Sequence, residues 1–416
     1  VKQIQTLLQP TDTLPILPGS WTFVSVESVS ERLKPGKLFD QRSAVSEGAV
    51  PIINQSADGF VGYHDEEPGV VASFDDPVFT FANHTCEMRW MTRSFSCIQN
   101  VFPYRGIEGK SHTKYLYYAT LGRVTIGDYK GHHPIFRRMV VPLPPLPTQR
   151  KIAAVLSAYD DLIENNTRRV RVLEDMARAL YREWFVEYRF PGHEQAEFVE
   201  DEQGRRPKEW ANVPLAHFGN FITGKTPSKT MPEYFGGDIP FIKIPDMNGI
   251  FTLSASENLS VLGSAAQKKK LVPTESILVS CIGTVGKVTI TAQPSQFNQQ
   301  INAITPEKKH LGFLYFLIES LKTDLEMIGL VGATMPNVSK GKLENMRVVD
   351  PGRLADDFSD HVQPLLDSIL NLTRRNANLR RTRDLLLPRL VSGELDVSGL
   401  DISGVDDAAM GQEEMA

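Results

Sequence analysis

The chain repeats itself once, and this limits its fold more than any other feature. Pro18-Gly19-Ser20-Trp21 near the start is echoed by Pro207-Lys208-Glu209-Trp210, 189 positions later. Gly48-Ala49-Val50-Pro51-Ile52-Ile53 matches Gly237-Asp238-Ile239-Pro240-Phe241-Ile242 at the same displacement. Leu116-Tyr117-Tyr118 then answers to Leu314-Tyr315-Phe316. Ile163-Glu164-Asn165-Asn166-Thr167-Arg168-Arg169 answers to Ile369-Leu370-Asn371-Leu372-Thr373-Arg374-Arg375, now 206 positions on. A self-similar chain must fold twice to one plan, and 416 residues exceed what one ordinary core absorbs.

Each copy reads as a globular part followed by a long helix. The globular parts, about 15–145 and 208–350, are rich in Gly, Pro and short β-branched runs such as Ile277-Leu278-Val279-Ser280. A helix is predicted over 311–328, where apolar residues fall at helical spacing. The expected class is α+β, with two mixed α/β domains separated by two long antiparallel coiled-coil helices and related by a pseudo-two-fold repeat. The boundaries implied are 1–145 for the first domain and 146–190 for the first long helix. A linker and the second domain take 191–350, the second long helix 351–392, and an acidic, disordered tail 393–416.

The helix prediction rests on a heptad pattern. In the first helix Ile152, Leu156, Tyr159, Ile163, Asn166, Val170, Leu173, Ala177, Leu180 and Trp184 advance in alternating steps of four and three. Phe358, Val362, Leu365, Ile369, Leu372, Asn376, Leu379, Arg383, Leu386 and Leu390 do the same in the second. Pro364 and Pro388 are expected to kink or fray the second rod. Paired in parallel, each seam asparagine would face an aliphatic residue and need another partner, or cost about 1–3 kcal/mol. Paired head to tail, every seam position still meets another. Asn166 then faces Asn376 in one register-fixing layer, and Tyr159 faces Arg383, where a cation–π contact is available.

Composition excludes several classes. No run of about 18 apolar residues suggests a membrane span, and no charged-then-apolar leader stands at Val1, so a cytoplasmic location is the expectation. Cys86, Cys97 and Cys281 have no CxxC spacing and read as reduced, mostly buried thiols. The histidines, including His84 and His132-His133, are too sparse for a metal cage. The net charge of −5 owes much to the acids of 393–416, so the body of the chain is mildly basic, which is compatible with nucleic acid. Gly219-Asn220-Phe221-Ile222-Thr223-Gly224-Lys225-Thr226 spells a P-loop. Pro227, Pro232 and Gly236-Gly237 follow too closely for a phosphate-binding helix to begin at the lysine. No dinucleotide fingerprint, metalloprotease or nucleophile-elbow motif occurs.

Pro142-Leu143-Pro144-Pro145-Leu146-Pro147-Thr148-Gln149, leading into Ile152-Ala153 and a long helix, resembles the first conserved region of the specificity subunits of type I restriction–modification enzymes. Phe297-Asn298-Gln299-Gln300 with Ala303-Ile304 resembles the Asn-Gln segment of that family's recognition domains. Leu385-Leu386-Leu387-Pro388-Arg389-Leu390-Val391-Ser392-Gly393 resembles the end of its second conserved region. The second helix opens without the Pro-Pro…Gln lead-in, and the first domain matches weakly. The resemblance implies a non-catalytic DNA-recognition chain whose two target recognition domains each read half of a bipartite double-stranded DNA site. It implies two modification (methyltransferase) and two restriction (motor/nuclease) subunits as partners. No cofactor is expected on this chain; S-adenosylmethionine, ATP and Mg²⁺ would sit on the partners.

Base reading needs paired donors and acceptors, and phosphate contact needs Lys, Arg, Ser or Thr. The candidates in the first domain are Arg42, Arg89, Arg93, Arg105, Lys110, Ser111, His112, Lys114, Lys130 and His132, with Tyr104 as a stacking residue, whereas Tyr115, Tyr117 and Tyr118 read as core. In the second they are Lys225, Thr226, Ser228, Lys229, Lys243, Lys287, Gln299, Asn337 and Lys340. Alternatives are the specificity chain of a fused methyltransferase–nuclease system, a protein-interaction scaffold, and a P-loop NTPase.

Overall fold

A computed structural model describes residues 17–56, 59–127, 131–201, 204–330 and 335–401. The chain divides into two compact units, Val1–Leu162 with Leu379–Ala416, and Ile163–Asn378. The division falls within both long helices, not at their ends, because each helical segment buries its seam in the core of the unit it belongs to.

The first unit is built on a four-stranded sheet in the order Ser30–Arg32, Val101–Gly106, Val78–Ala82, Met88–Met91. A second sheet has the order Leu38–Phe39, Ser96–Ile98, Val50–Ile53, Phe60–His64. Every residue of Val78–Ala82 is buried, as expected of a strand covered on both faces. Phe79, Phe81, Tyr104, Tyr115 and Phe136 form its aromatic core, joined by Ile152 and Leu156 of the first long helix and Leu390 of the second.

The second unit repeats the plan. Its main sheet runs Gly219–Thr223, Ile301–Pro306, Ile277–Ser280, Val288–Thr291, Phe251–Thr252, and Asn258–Leu259, Phe235–Ile242 and Gln296–Phe297 form a smaller one. Val50–Ile53 lies parallel to Ser96–Ile98 as Phe235–Ile242 lies parallel to Gln296–Phe297. Trp21 N donates to Pro18 O (2.9 Å) as Trp210 N donates to Pro207 O (3.1 Å). The strand after each tryptophan pairs with the strand before a long helix, Thr22 with Leu143 and Ala211 with Asp350. The helix predicted over 311–328 is two helices, Leu311–Ser320 and Lys322–Leu330. Residues Leu311–Ile318 are all buried. Gly312 lies so close to the second long helix that a Cβ there would stand 2.5 Å from Val362 Cγ2.

The long helices are Leu146–Tyr181, continued by a π-turn over Arg182–Val186, and Arg353–Val391. All the predicted seam positions are buried or half-buried. Asn166 Nδ2 donates to Asn376 Oδ1 at 2.9 Å. Asn376 Nδ2 in turn donates to Thr167 Oγ1 (3.1 Å) and Ile163 O (3.2 Å), so the buried layer is satisfied. The antiparallel register read from the two asparagines is the one observed. The cation–π contact expected of Arg383 with Tyr159 is replaced by an ion pair. A guanidinium gains more from a carboxylate than from a ring face, and Arg383 takes Asp160 (2.5 Å) and Asp384 (2.8 Å). Tyr118 donates to the other oxygen of Asp160. Pro364 and Pro388 do not interrupt the second helix. Both are exposed, as are Asp360 and Asp384, so the carbonyls that lose a donor face solvent. The tail read as disordered begins folded. Val397 is buried and Leu395 half-buried on the first unit's core, and Lys151 Nζ donates to Ser398 O. Residues 402–416 lie outside the described residues.

Candidate nucleic-acid interface

In the second unit, strand register gathers the sequence candidates at one end of the main sheet. Thr223 stands opposite Asn302, and Ser280 opposite Ile301. The segments that leave the sheet here are 224–230, 281–287 and 298–300. Lys225 N donates to Phe297 O (3.0 Å), and Thr226 Oγ1 donates to Gln299 Oε1 (2.7 Å). Gly283 N donates to Pro336 O (3.0 Å) and Val338 N to Cys281 O (2.8 Å), which bring Asn337 and Lys340 to the same end. Lys243 follows Ile242, whose carbonyl accepts from Asn298 N (3.2 Å). Thus Lys225, Thr226, Ser228, Lys229, Lys243, Lys287, Gln299, Asn337 and Lys340, scattered over more than a hundred positions, share one loop surface. Lys243 pairs with Glu257 (2.9 Å) and Lys340 with Glu344 (3.0 Å). Lys225, Lys229 and Lys287 have no such ion pair among the described residues, leaving ammonium groups for phosphate.

The P-loop spelling has no P-loop structure. Gly219–Thr223 is a strand, but no helix follows Lys225; the next element is a single 3-10 turn at Pro232–Tyr234. Amide groups therefore do not converge on a phosphate there.

The first-domain candidates scatter. The equivalent sheet end is where Ala82 meets Val101. Arg42 lies in the turn beyond Phe39, and Arg89 donates to Ser56 O. Arg93 follows Met91, which pairs with Val78 at the other end of the sheet. Arg105 is also at that far end. It pairs with Asp76 (2.8 Å) on a crevice of about 600 Å³ shared with Glu31, Glu108, His112 and Arg150, so its guanidinium is already met by a carboxylate. Lys110 Nζ donates to Ser28 O (2.6 Å). His112 N donates to Gln149 Oε1 (2.8 Å), so the buried Gln149 of the conserved-region motif stitches the long helix to the domain. Lys114 lies 4.1 Å from the Trp90 ring centroid. Ser111 is buried against Val29 O. Lys130 lies outside the described residues.

Two further expectations, His132 as a contact residue and Tyr104 as a stacking one, are corrected by burial. His132 is buried, with Nδ1 donating to Asn83 O (2.9 Å) and Nε2 accepting from Gly127 N (3.1 Å), so both ring nitrogens are used within the unit. His133 is buried beside the Tyr104 hydroxyl (2.5 Å). Burial, then Arg32 and Arg137, pushes it down to about 4. Tyr104 is itself core, its phenol pushed up to about 12 chiefly by burial, and presents no stacking face. Cys97 is pushed up to about 12 by burial and is inert.

What the first unit does place at that end was missed. Gln55 Nε2 donates to Gln99 O (3.2 Å), and Gln55 Oε1 accepts from His84 N (3.1 Å). Asn100 Nδ2 lies 3.3 Å from His84 Nε2. Gln99-Asn100 precedes the Val101 strand as Gln299-Gln300 precedes the Ile301 strand. Aligning the repeat through these strands was the available signal. Among the described residues no cluster of three His, Cys, Asp or Glu could hold a metal ion, and no helix is long and apolar enough to cross a membrane.

A family model described as the type I restriction modification DNA specificity domain matches residues 18–175 and again 207–351. The type I restriction enzyme HindI specificity subunit of Haemophilus influenzae is 32% identical over 314 residues, covering 61% of this chain and 68% of the relative. The MjaIX specificity subunit of Methanocaldococcus jannaschii is 26% identical over 321 residues, covering 73% and 72%. The crystal structure of a type I restriction–modification S subunit from M. genitalium superposes with a TM-score of 0.59 at 17% identity, over 93% of this chain and 100% of that one, a likeness of fold.

Proposed function

The chain belongs to the type I restriction modification DNA specificity family, whose domain it carries twice, and on that premise we propose that each copy reads one half of a split duplex target. It is a specificity subunit, concerned with recognition of a DNA target. The observation that carries the two-reader assignment is the convergence of the second unit's lysine, hydroxyl and amide side chains on one end of its sheet, with a polar counterpart at the equivalent end of the first. The gap between half-sites follows from the length of the paired helices, whose register the Asn166–Asn376 layer fixes.

In this reading the chain supplies the address and not the chemistry. Two methyltransferase subunits and two restriction subunits assemble with it, and they bind S-adenosylmethionine, ATP and Mg²⁺. Methylation by the partners requires the target base to be turned out of the duplex, so the readers hold flanking bases while leaving the target free.

The test is a double variant, Lys225→Ala with Lys229→Ala, in the full chain with its modification subunits. Affinity for one half-site falls, and the log–log salt slope becomes shallower by about two, near 0.9 per phosphate contact removed. Unchanged affinity and slope at both half-sites would remove this loop from the interface.

A further inference from the structure

We propose that the chain carries a self-association surface, through which an acidic, apolar-centred site on the first unit of one copy docks on a basic, apolar-centred site on the second unit of another copy. This contact is independent of how either unit reads DNA.

The two sites stand at equivalent points of the repeat. Val70 N donates to Phe95 O (2.8 Å) as Val272 N donates to Ser295 O (3.0 Å). Each bridge immediately precedes a strand, Ser96–Ile98 in the first unit and Gln296–Phe297 in the second. Those strands lead on to Gln99-Asn100 and to residues 298–300, so both bridges lie at the end away from the candidate nucleic-acid surface. Four and three positions before its bridge the first unit has Glu66-Glu67, where the second has Lys268-Lys269.

Both places also hold out large apolar side chains on a fixed backbone. In the first unit Val71 is 69% exposed and Phe74 58%. A Cβ at Gly69 would stand 2.2 Å from Pro35 O, so only glycine lets these two turns close on each other. Gly69 N donates to Ser96 Oγ (2.9 Å), Ala72 N to Ser94 Oγ (3.2 Å) and Asp76 N to Ser73 Oγ (3.0 Å). In the second unit Val261 is 81% exposed and Leu262 56%, on the short helix Val261–Ala266, and Leu271 is exposed just beyond the lysines. That helix is clamped at Gly263, where a Cβ would stand 2.1 Å from Tyr234 O, and at Ser260, whose hydroxyl donates to Glu233 O (2.6 Å). Docking on a backbone already held this way costs little ordering entropy.

The charges framing the two sites are opposite. Glu66 is taken by Lys37 and Asp76 by Arg105, but Glu67, Asp75, Lys268 and Lys269 are exposed and have no ion pair among the described residues. Two sites of one sign would repel, whereas these attract and bury apolar centres against each other. DNA would satisfy the lysines, but it would leave the acidic site and its exposed phenylalanine without a partner. A surface complementary to the acidic site is present on this chain itself, and unlike sites on one molecule make a heterologous contact between copies.

Sedimentation velocity over a concentration series, at low and high salt, tests this on the full chain with its modification subunits. The wild type self-associates, and less so at high salt. Glu67→Lys with Asp75→Lys leaves both sites basic, and Lys268→Glu with Lys269→Glu leaves both acidic. Each double variant raises the concentration needed for association by roughly tenfold or more. An equimolar mixture of the two associates again, because the untouched basic site of one meets the untouched acidic site of the other. Mixing does not repair a misfolded variant, so this rescue separates a lost contact from a lost fold. A wild type that remains one species at every concentration, variants that associate like the wild type, or a mixture that stays apart overturns the proposal. So does a lysine variant that loses affinity for the second half-site while self-association is unchanged, which assigns those lysines to DNA.

Discussion

The two units share a scaffold and differ at the end of the sheet where they would meet DNA. In the second unit that end carries Lys225, Lys229 and Lys287 around Gln299. In the first it carries Gln55, His84, Gln99 and Asn100, with Arg89 held beside them on Ser56 O. The contrast extends to the segment before the central strand, where the second unit has Lys268-Lys269-Lys270 and the first has Asp65-Glu66-Glu67 and Asp75-Asp76. Duplicated frames thus preserve strand register while the loops diverge in charge. In the proposed reading one reader leans on long-range attraction and the other on short-range amide geometry.

The sharpest way to separate the two units is acid. His132 N donates to Asn83 O as Val338 N donates to Cys281 O, so a histidine pair in the first unit occupies the place of Val338-Ser339 in the second. His133 is held near 4 in the folded state, against 6.5 when unfolded. The unfolded chain therefore binds the proton more readily, and stability is full above pH 6.5 and falls as pH drops toward 4. At pH 5 the loss is about 2 kcal/mol. Amide exchange at pH 5 should show the first unit opening before the second, and His133→Phe should abolish the difference. Equal loosening of both units would break the comparison. A smaller effect is expected at the first reader, where Gln99→Ala should weaken the first half-site roughly tenfold without altering the salt slope, as read by titration at several ionic strengths. A change in slope would mean that the first reader also works by phosphate attraction. Least affected should be Arg105→Ala and Lys110→Ala, which lie at the far end of the sheet. DNA affinity within about twofold of wild type is expected, because neither meets phosphate in this reading.

Much of this architecture was legible in the sequence because it is periodic. The repeat fixed which strands correspond, and the heptads fixed the seam. The placement of Asn166 at one seam position and Asn376 at the other fixed the direction and register of the helices. The second unit's candidate surface was legible because its lysines and Gln299 lie in segments dense with Gly, Pro and Ser, where strand ends are expected. The first was not. Choosing cations by residue type selected Arg105 and Lys110, whose partners Asp76 and Ser28 are remote in sequence and reached only through folding. The amides and the histidine that gather there come from three separate loops, so composition gives little hint of them.

The division of the chain into its two units also has a consequence for synthesis. Val26, Phe79 and Leu156 share a core with Leu390, Val391 and Val397, whereas the second unit is made from one uninterrupted stretch between them. On the ribosome the half translated first must wait for the last helix before its apolar interior can close, and the later half is complete while its predecessor is still open. A stop codon just before residue 379 would therefore spare the distal reader and leave the proximal one a target for chaperones and proteases.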